Sequence, residues 1–251
     1  MARGEVAVAE VKDRTATEDS RRLLRDCFLF CELDTEECNV LFARVRLRGY
    51  VAGETIFLMG SVGDCMMAVL SGSVRISVPS PDGKEIVLAI LQAREVFGEL
   101  ALLDGKERTA DATAMAECTL AVLERRDVLS FLDRHPHVWP KLATVLCGRL
   151  RISNHHIGEL ALLGVPARLA KALLRLGNVD GRLGNEPAAL KVELSQRELG
   201  NFCGASRESI NKCLRSWQRL RIVQIEEGLV TITNQTALEE MAQQAPTVDA
   251  A

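Results

Sequence analysis

Apolar positions change their rhythm three times along the chain. From about residue 23 to 133, short apolar runs alternate with turn residues. Residues 55–59, 66–70, 74–78, 86–90 and 120–123 are five predicted strands, punctuated by Ser71-Gly72, Pro81-Asp82-Gly83 and Asp104-Gly105. Asp82-Gly83 between apolar flanks predicts a hairpin, because glycine and aspartate enter the positive-φ turn at low cost. Several short strands at this spacing predict a small barrel or jelly roll. A short helix over residues 35–45 precedes them.

The second rhythm is helical, from residue 138 to 163, with no proline after Pro140. Leu142, Leu146, Arg149, Ser153, Ile157 and Leu160 recur at spacings of four, three, four, four and three, the rhythm of a coiled-coil seam. Two seam positions, Arg149 and Ser153, are polar where a pure packing seam would carry Leu or Ile, so the stretch is either frayed or solvated or has a further role. Gly164-Val165-Pro166 ends it, since proline disfavours helix in the residue before it. The third rhythm, to about Asn234, is a helical segment closed by strands at 222–225 and 229–232 around Glu227-Gly228. Residues 1–19 carry no apolar periodicity and read as a mobile arm. Residues 236–251 form a polar, alanine-rich tail without readable chemistry.

Ser195-Gln196-Arg197-Glu198 is a capping box and opens a short helix that runs into Gly204. Ser206 then caps a second helix through about Leu220. Two helices around a short glycine turn predict a helix-turn-helix. In the second helix Ile210, Cys213, Leu214, Trp217 and Leu220 should pack inward, with Arg207, Glu208, Asn211, Lys212 and Arg215 outward.

Composition first argues against a nucleic-acid role, then locally for one. The 251 residues are 47% hydrophobic, carry a net charge of −3 and include eight cysteines. Between Lys191 and Arg221, however, there are seven Lys/Arg and three Glu, a local charge of +4. Arg207 and Glu208 fall in the first turn of the second helix, where an arginine forks to guanine and a glutamate accepts from a cytosine amine. Ser195, Gln196, Ser206, Asn211 and Lys212 complete the candidate DNA-contacting set. No apolar run approaches the ~18 residues of a membrane span. A polar N-terminus without an apolar core predicts no secretory signal, and so a reducing cytoplasm.

Residues 97–110, FGELALLDGKERTA, hold the other chemistry. A one-turn apolar segment after Gly98 offers backbone N–H groups to an anion. Arg108 adds a guanidinium fork and Thr109 a hydroxyl. Glu99 repels phosphate but accepts from a sugar hydroxyl, so the set reads as a nucleotide site.

Barrel, cassette, long helix, helix-turn-helix and wing, over roughly residues 22–235, resemble the catabolite activator/FNR family of bacterial transcription regulators. FGELALLDGKERTA looks like its cyclic-nucleotide phosphate cassette, and ASRESINK like its recognition helix. The resemblance implies an α+β chain: arm 1–19, cyclic-nucleotide-binding β-roll 20–137, dimerisation helix 138–164, winged helix-turn-helix 165–235, tail 236–251. It implies that Gly98, Glu99 and Leu100 meet the ribose and cassette backbone while Arg108 and Thr109 hold the cyclic phosphate. Arg149 and Ser153 match ligand-side positions on the dimer helix, and Asn154 reaches the base from the opposite subunit. The ligand implied is cAMP, with cGMP open. The partners implied are a second copy, a two-fold symmetric DNA operator and RNA polymerase. Gly164 stands where other members carry an acid.

Two other readings stay open. Cys27, Cys31, Cys38 and Cys65 could hold an iron–sulfur cluster as in some FNR relatives, although their spacing is looser and Cys27 and Cys31 sit among Phe28, Leu29 and Phe30. A nucleotide module regulating an enzyme is the third reading, against which residues 195–232 count. His155 and His156 point about 100° apart on a helix and do not grip one metal, and no metal is expected. No nucleophile–base pair predicts catalysis.

Overall fold

The structure is a computed structural model and describes residues 14–15, 18–27, 33–80, 85–177, 190–192, 194–226 and 229–243. The hairpin turn at Asp82-Gly83, the wing turn at Glu227-Gly228 and Cys31 lie outside the described residues. The chain divides into two units, residues 1–78 with 89–147, and residues 79–88 with 148–251.

The first unit opens with β1 (Arg14–Thr15), α1 (Glu18–Arg25), α2 (Thr35–Phe42), β2 (Arg46–Tyr50), β3 (Thr55–Phe57), β4 (Cys65–Ser71) and β5 (Val74–Pro79). Next in the chain come β6 (Glu85–Leu91), which is divided between the units after residue 88, and then β7 (Val96–Phe97), α3 (Glu99–Asp104), β8 (Asp111–Ala114), β9 (Cys118–Glu124) and α4 (Arg125–Arg134). A 3-10 turn, Pro136–Val138, then leads into α5 (Trp139–Leu162). Two sheets form, one in the order β1-β2-β9-β4-β7 and one in the order β3-β8-β5-β6.

The middle strands explain the unbroken apolar runs. On β4, Met67 and Val69 join Leu120 and Val122 of β9 in one core cluster, together with Val74, Ala112 and Ala114 of the second sheet. Their alternates Met66, Ala68, Leu70, Ala121 and Leu123 join a second cluster with Leu24, Leu41, Phe42, Phe131, Val138 and Leu142 from the helices. A strand buried on both faces has no polar alternation to show. β1 pairs with β2 through Arg14↔Leu47 and Thr15↔Arg46, so part of the predicted arm is strand.

The second unit holds α6 (Val165–Gly177), β10 (Leu190–Val192), α7 (Gln196–Cys203), α8 (Arg207–Arg219), β11 (Val223–Glu226), β12 (Leu229–Ile232) and α9 (Gln235–Gln243). Leu169, Leu173, Leu199, Ile210, Leu214 and Leu238 are fully buried there. β10 extends the predicted wing pair to three strands in the order β10-β12-β11. The start of the predicted tail is α9, which packs on α6 through buried Leu238 and Ala242. Leu220, expected inside, is 62% exposed. It caps α8 at φ −83°, ψ 0°, so the helical spacing that would have turned it inward has already ended.

Candidate functional sites: a nucleotide cassette and a DNA-reading helix

Gly98 is the N-cap of α3 at φ +79°, a left-handed conformation glycine takes without a Cβ penalty. A Cβ there would lie 2.6 Å from Arg108 Nη1, so the position requires glycine on two counts. No side chain caps α3. At its other end Gly105 is again left-handed and its N–H donates to Ala101 O, while Arg125 Nε donates to Leu102 O at 2.7 Å. The six-residue helix is therefore fixed at its C-terminal end and left without a cap side chain at its start.

Arg108 is 4% exposed. Its Nη1 donates to Gly98 O at 2.8 Å and its Nη2 to Cys65 O at 2.7 Å, and its guanidinium carbon lies 4.3 Å from the centre of the Phe57 ring. The strand–loop backbone holds it from behind: Arg108 N–H donates to Ser61 O and Gly60 N–H to Arg108 O. Arg108 Nε is buried without a hydrogen-bond partner. A buried donor left unpaired is costly, and an anionic oxygen beside the guanidinium would relieve that cost. The residues present thus fit a phosphate.

Glu99 is buried at 3% exposure and lines a cavity of about 30 Å³ walled by Leu41, Met66, Leu102, Phe131 and Leu142. Leu100 and Thr109 are exposed. The structure therefore brings half-buried Gly98 and buried Arg108 together, with buried Glu99 next to Gly98 at the start of α3 and Thr109 exposed. Cys65 and Phe57 complete the cradle. Neither was legible beforehand, because the Cys65–Arg108 contact joins positions 43 residues apart. Burial pushes the Cys65 thiol pKa up, against the opposing pull of Arg108, so Cys65 is neutral beside the cassette.

Arg149, Ser153 and Asn154 lie on the C-terminal part of α5, in the second unit; Arg149 is half-buried, Ser153 and Asn154 exposed. Leu150 and Ile157, at 61% and 63% exposure, flank Ser153 and Asn154 at three- and four-residue spacing on one helix face. The exposed stripe thus passes through Leu150 where the predicted seam passed through Arg149. Further along, buried Glu159 binds Arg175 Nη2 at 3.0 Å and Lys171 Nζ at 3.3 Å, joining α5 to α6. His155 and His156 also face that carboxylate, at 3.4 and 3.7 Å. Burial and then the Arg175 charge push the His156 imidazole pKa down, leaving the cation role to Arg175 and Lys171.

The helix-turn-helix is built as its sequence predicts. Ser195 Oγ accepts from Glu198 N–H at 3.2 Å while Ser195 N–H donates to Glu198 Oε2 at 2.8 Å. Gly204 ends α7 at φ +57°. A Cβ on Gly200 would meet Ala205 O at 2.8 Å, so glycine lets the turn fold back closely. Ser206 Oγ accepts from Ser209 N–H at 3.2 Å and starts α8. Ile210, Leu214 and Trp217 anchor α8. Arg207, Glu208, Lys212 and Arg215 are exposed, Asn211 and Gln196 are half-buried, and Ser195 and Ser206 are exposed caps.

Cys27 and Cys38 are buried, and Cys38 is pushed up by burial. Among the described residues, Cys27, Cys38 and Cys65 do not come together at metal-ligand distances. Cys118 and Cys203 are pushed by burial to about 11 and about 12, so both stay protonated thiols. No helix among the described residues is long and apolar enough to cross a membrane.

Residues 47–135 match the cyclic nucleotide-binding domain family, and residues 167–241 match the Crp-like helix-turn-helix domain family. The chain is 34% identical over 192 residues to a CRP-like cAMP-activated global transcriptional regulator of Mycobacterium tuberculosis, covering 76% of this chain and 85% of that one. It is also 34% identical over 214 residues to a cyclic AMP receptor protein of Thermus thermophilus, covering 85% and 96%. The crystal structure of a CRP-family transcriptional regulator from Thermus thermophilus superposes at a TM-score of 0.66 with 28% identity, covering 78% and 97%.

Proposed function

The chain belongs to the Crp/Fnr family of DNA-binding transcription regulators with a cyclic nucleotide-binding domain, and from that premise we propose that it is a cytoplasmic homodimer whose affinity for a two-fold symmetric operator is raised by cAMP. The observation that carries this reading is Arg108, a buried guanidinium with a partnerless Nε beside the uncapped start of α3. The cyclic phosphate would bind there, with Thr109 donating its hydroxyl and the Glu99 carboxylate accepting from the ribose. The names of the Mycobacterium and Thermus relatives favour cAMP over cGMP. Isothermal titration tests that choice: cAMP binds one site per chain and more tightly than cGMP, and the reverse order would reassign the ligand.

Dimerisation rests on the stripe of α5. Leu150 and Ile157, seven residues apart and so on one face of the helix, are 61% and 63% exposed, an apolar surface that a partner helix would cover. Pairing two such helices covers it and places Ser153, Asn154 and Arg149 where a ligand in one subunit meets the other. Ile157→Glu would put two carboxylates into that seam. Sedimentation should then give a monomer that still folds, because Ile157 is 63% exposed within its own subunit; an unchanged dimer would contradict the assignment of this face.

Ligand at the seam biases how the two α8 helices are spaced. Adjacent major grooves on one face of B-DNA recur every ~34 Å, so only one spacing engages both half-sites. By linkage, DNA must then tighten nucleotide binding by the same factor. Bound beside a promoter, such a dimer would act through RNA polymerase.

A further inference from the structure

A second polar cluster shares no residue with the cassette or with α8. Glu37, in the first turn of α2, is 4% exposed and is the carboxylate of a capping box: its Oε2 accepts from Asp34 N–H at 2.9 Å. Its other oxygen, Oε1, faces two imidazoles, His135 Nδ1 at 3.4 Å and His137 Nε2 at 2.5 Å. The three atoms all lie within 4.8 Å of one another. His135 stacks on Phe131 at 4.4 Å between ring centres, which fixes its plane. Pro136 between the two histidines sets the 3-10 turn that turns both rings toward one carboxylate.

We propose that Glu37, His135 and His137 form a binding site for one divalent transition-metal ion of the Zn²⁺ class. Two imidazoles and one carboxylate are borderline ligands of the kind zinc takes, and three protein ligands leave a fourth position for water. Ligand atoms at ~2.0–2.1 Å from a tetrahedral ion are about 3.3 Å apart. The His135–Glu37 separation of 3.4 Å already matches that edge. The His137–Glu37 pair, at 2.5 Å, would open to the same edge as the ion enters. The Asp34 N–H held by Oε2 is the outer hydrogen bond that orients a ligating carboxylate. His137, with a side chain 60% exposed, gives the ion a route in from solvent. An ion held here would tie α2 to the turn at the root of α5, inside the first unit.

The test uses the full-length, reduced protein, stripped with a chelator and titrated with Zn²⁺ against a chromogenic competitor, then with Co²⁺. One tight Zn²⁺ per chain is expected, a Co²⁺ spectrum of nitrogen and oxygen donors without thiolate charge transfer, and a raised melting temperature on loading. Glu37→Gln and His137→Ala should each weaken binding by ~100-fold or more, at or beyond the upper end of the losses caused by removing an outer partner of a metal ligand. Gln at position 37 keeps an acceptor for the capping box, and His137 is exposed, so both variants should fold. Absence of stoichiometric binding overturns the proposal. So does binding that disappears on cysteine alkylation while persisting in both variants, which would assign the ion to thiols such as exposed Cys147.

Discussion

Arg108→Leu should reduce calorimetric affinity for cAMP by ~100-fold or more and leave operator binding indifferent to the nucleotide. The magnitude follows from two charge-assisted hydrogen bonds to phosphate at about 1.5–3 kcal/mol each, with every ~1.4 kcal/mol worth tenfold. The substitution also strips partners from the Gly98 and Cys65 carbonyls and the stacked face from Phe57. Some thermal stability should therefore fall as well, and a melting curve must show that the variant is folded at the titration temperature. Arg108→Lys separates the two effects. It keeps the charge but offers a point donor in place of a planar fork, so affinity should fall to a level between the wild type and Leu. Unchanged affinity in Arg108→Leu would remove the phosphate from this cradle.

The second large effect belongs to α8. Arg207→Ala should erase preference at one guanine of each half-site, a loss of about 1–3 kcal/mol confined to that position. Arg207 stands in the first exposed turn after the Ser206 cap, with buried Ile210, Leu214 and Trp217 fixing the opposite face. Affinity should be measured across a panel of operators substituted one base pair at a time. A uniform weakening across all of them, with the salt slope reduced by about 1, would instead make Arg207 a phosphate contact. Lys212, one turn further on, is the natural comparison for such a backbone contact.

Much of the architecture was legible because burial leaves a pattern. The runs in β4 and β9 stood out since both faces of those strands are covered, and the two capping motifs at Ser195 and Ser206 announced their helices. Strands without an apolar run were missed. β2 reads Arg-Leu-Arg-Gly-Tyr and β8 reads Asp-Ala-Thr-Ala, and each is a strand only because a partner pairs with it: Leu47 with Ala121, Ala112 with Ile76. α9 shows a single buried spacing, Leu238 to Ala242, too thin to distinguish from a tail. The cassette residues were legible from their chemistry, but their cradle was not. Phe57 and Cys65 reach Arg108 through sheet topology, which no local spacing encodes. The same holds for Glu37 and the His-Pro-His turn, which neighbour each other only because α2 packs against α4.

The central claim is that cyclic nucleotide and DNA are coupled through one dimer. Its most direct test is the affinity of the full-length protein for a labelled two-fold symmetric operator, measured by anisotropy at fixed salt with and without saturating cAMP. Coupling free energies of about 1–3 kcal/mol predict that cAMP tightens operator binding roughly 5- to 150-fold. Equal affinity with and without the nucleotide, in protein shown calorimetrically to have bound it, would contradict the account.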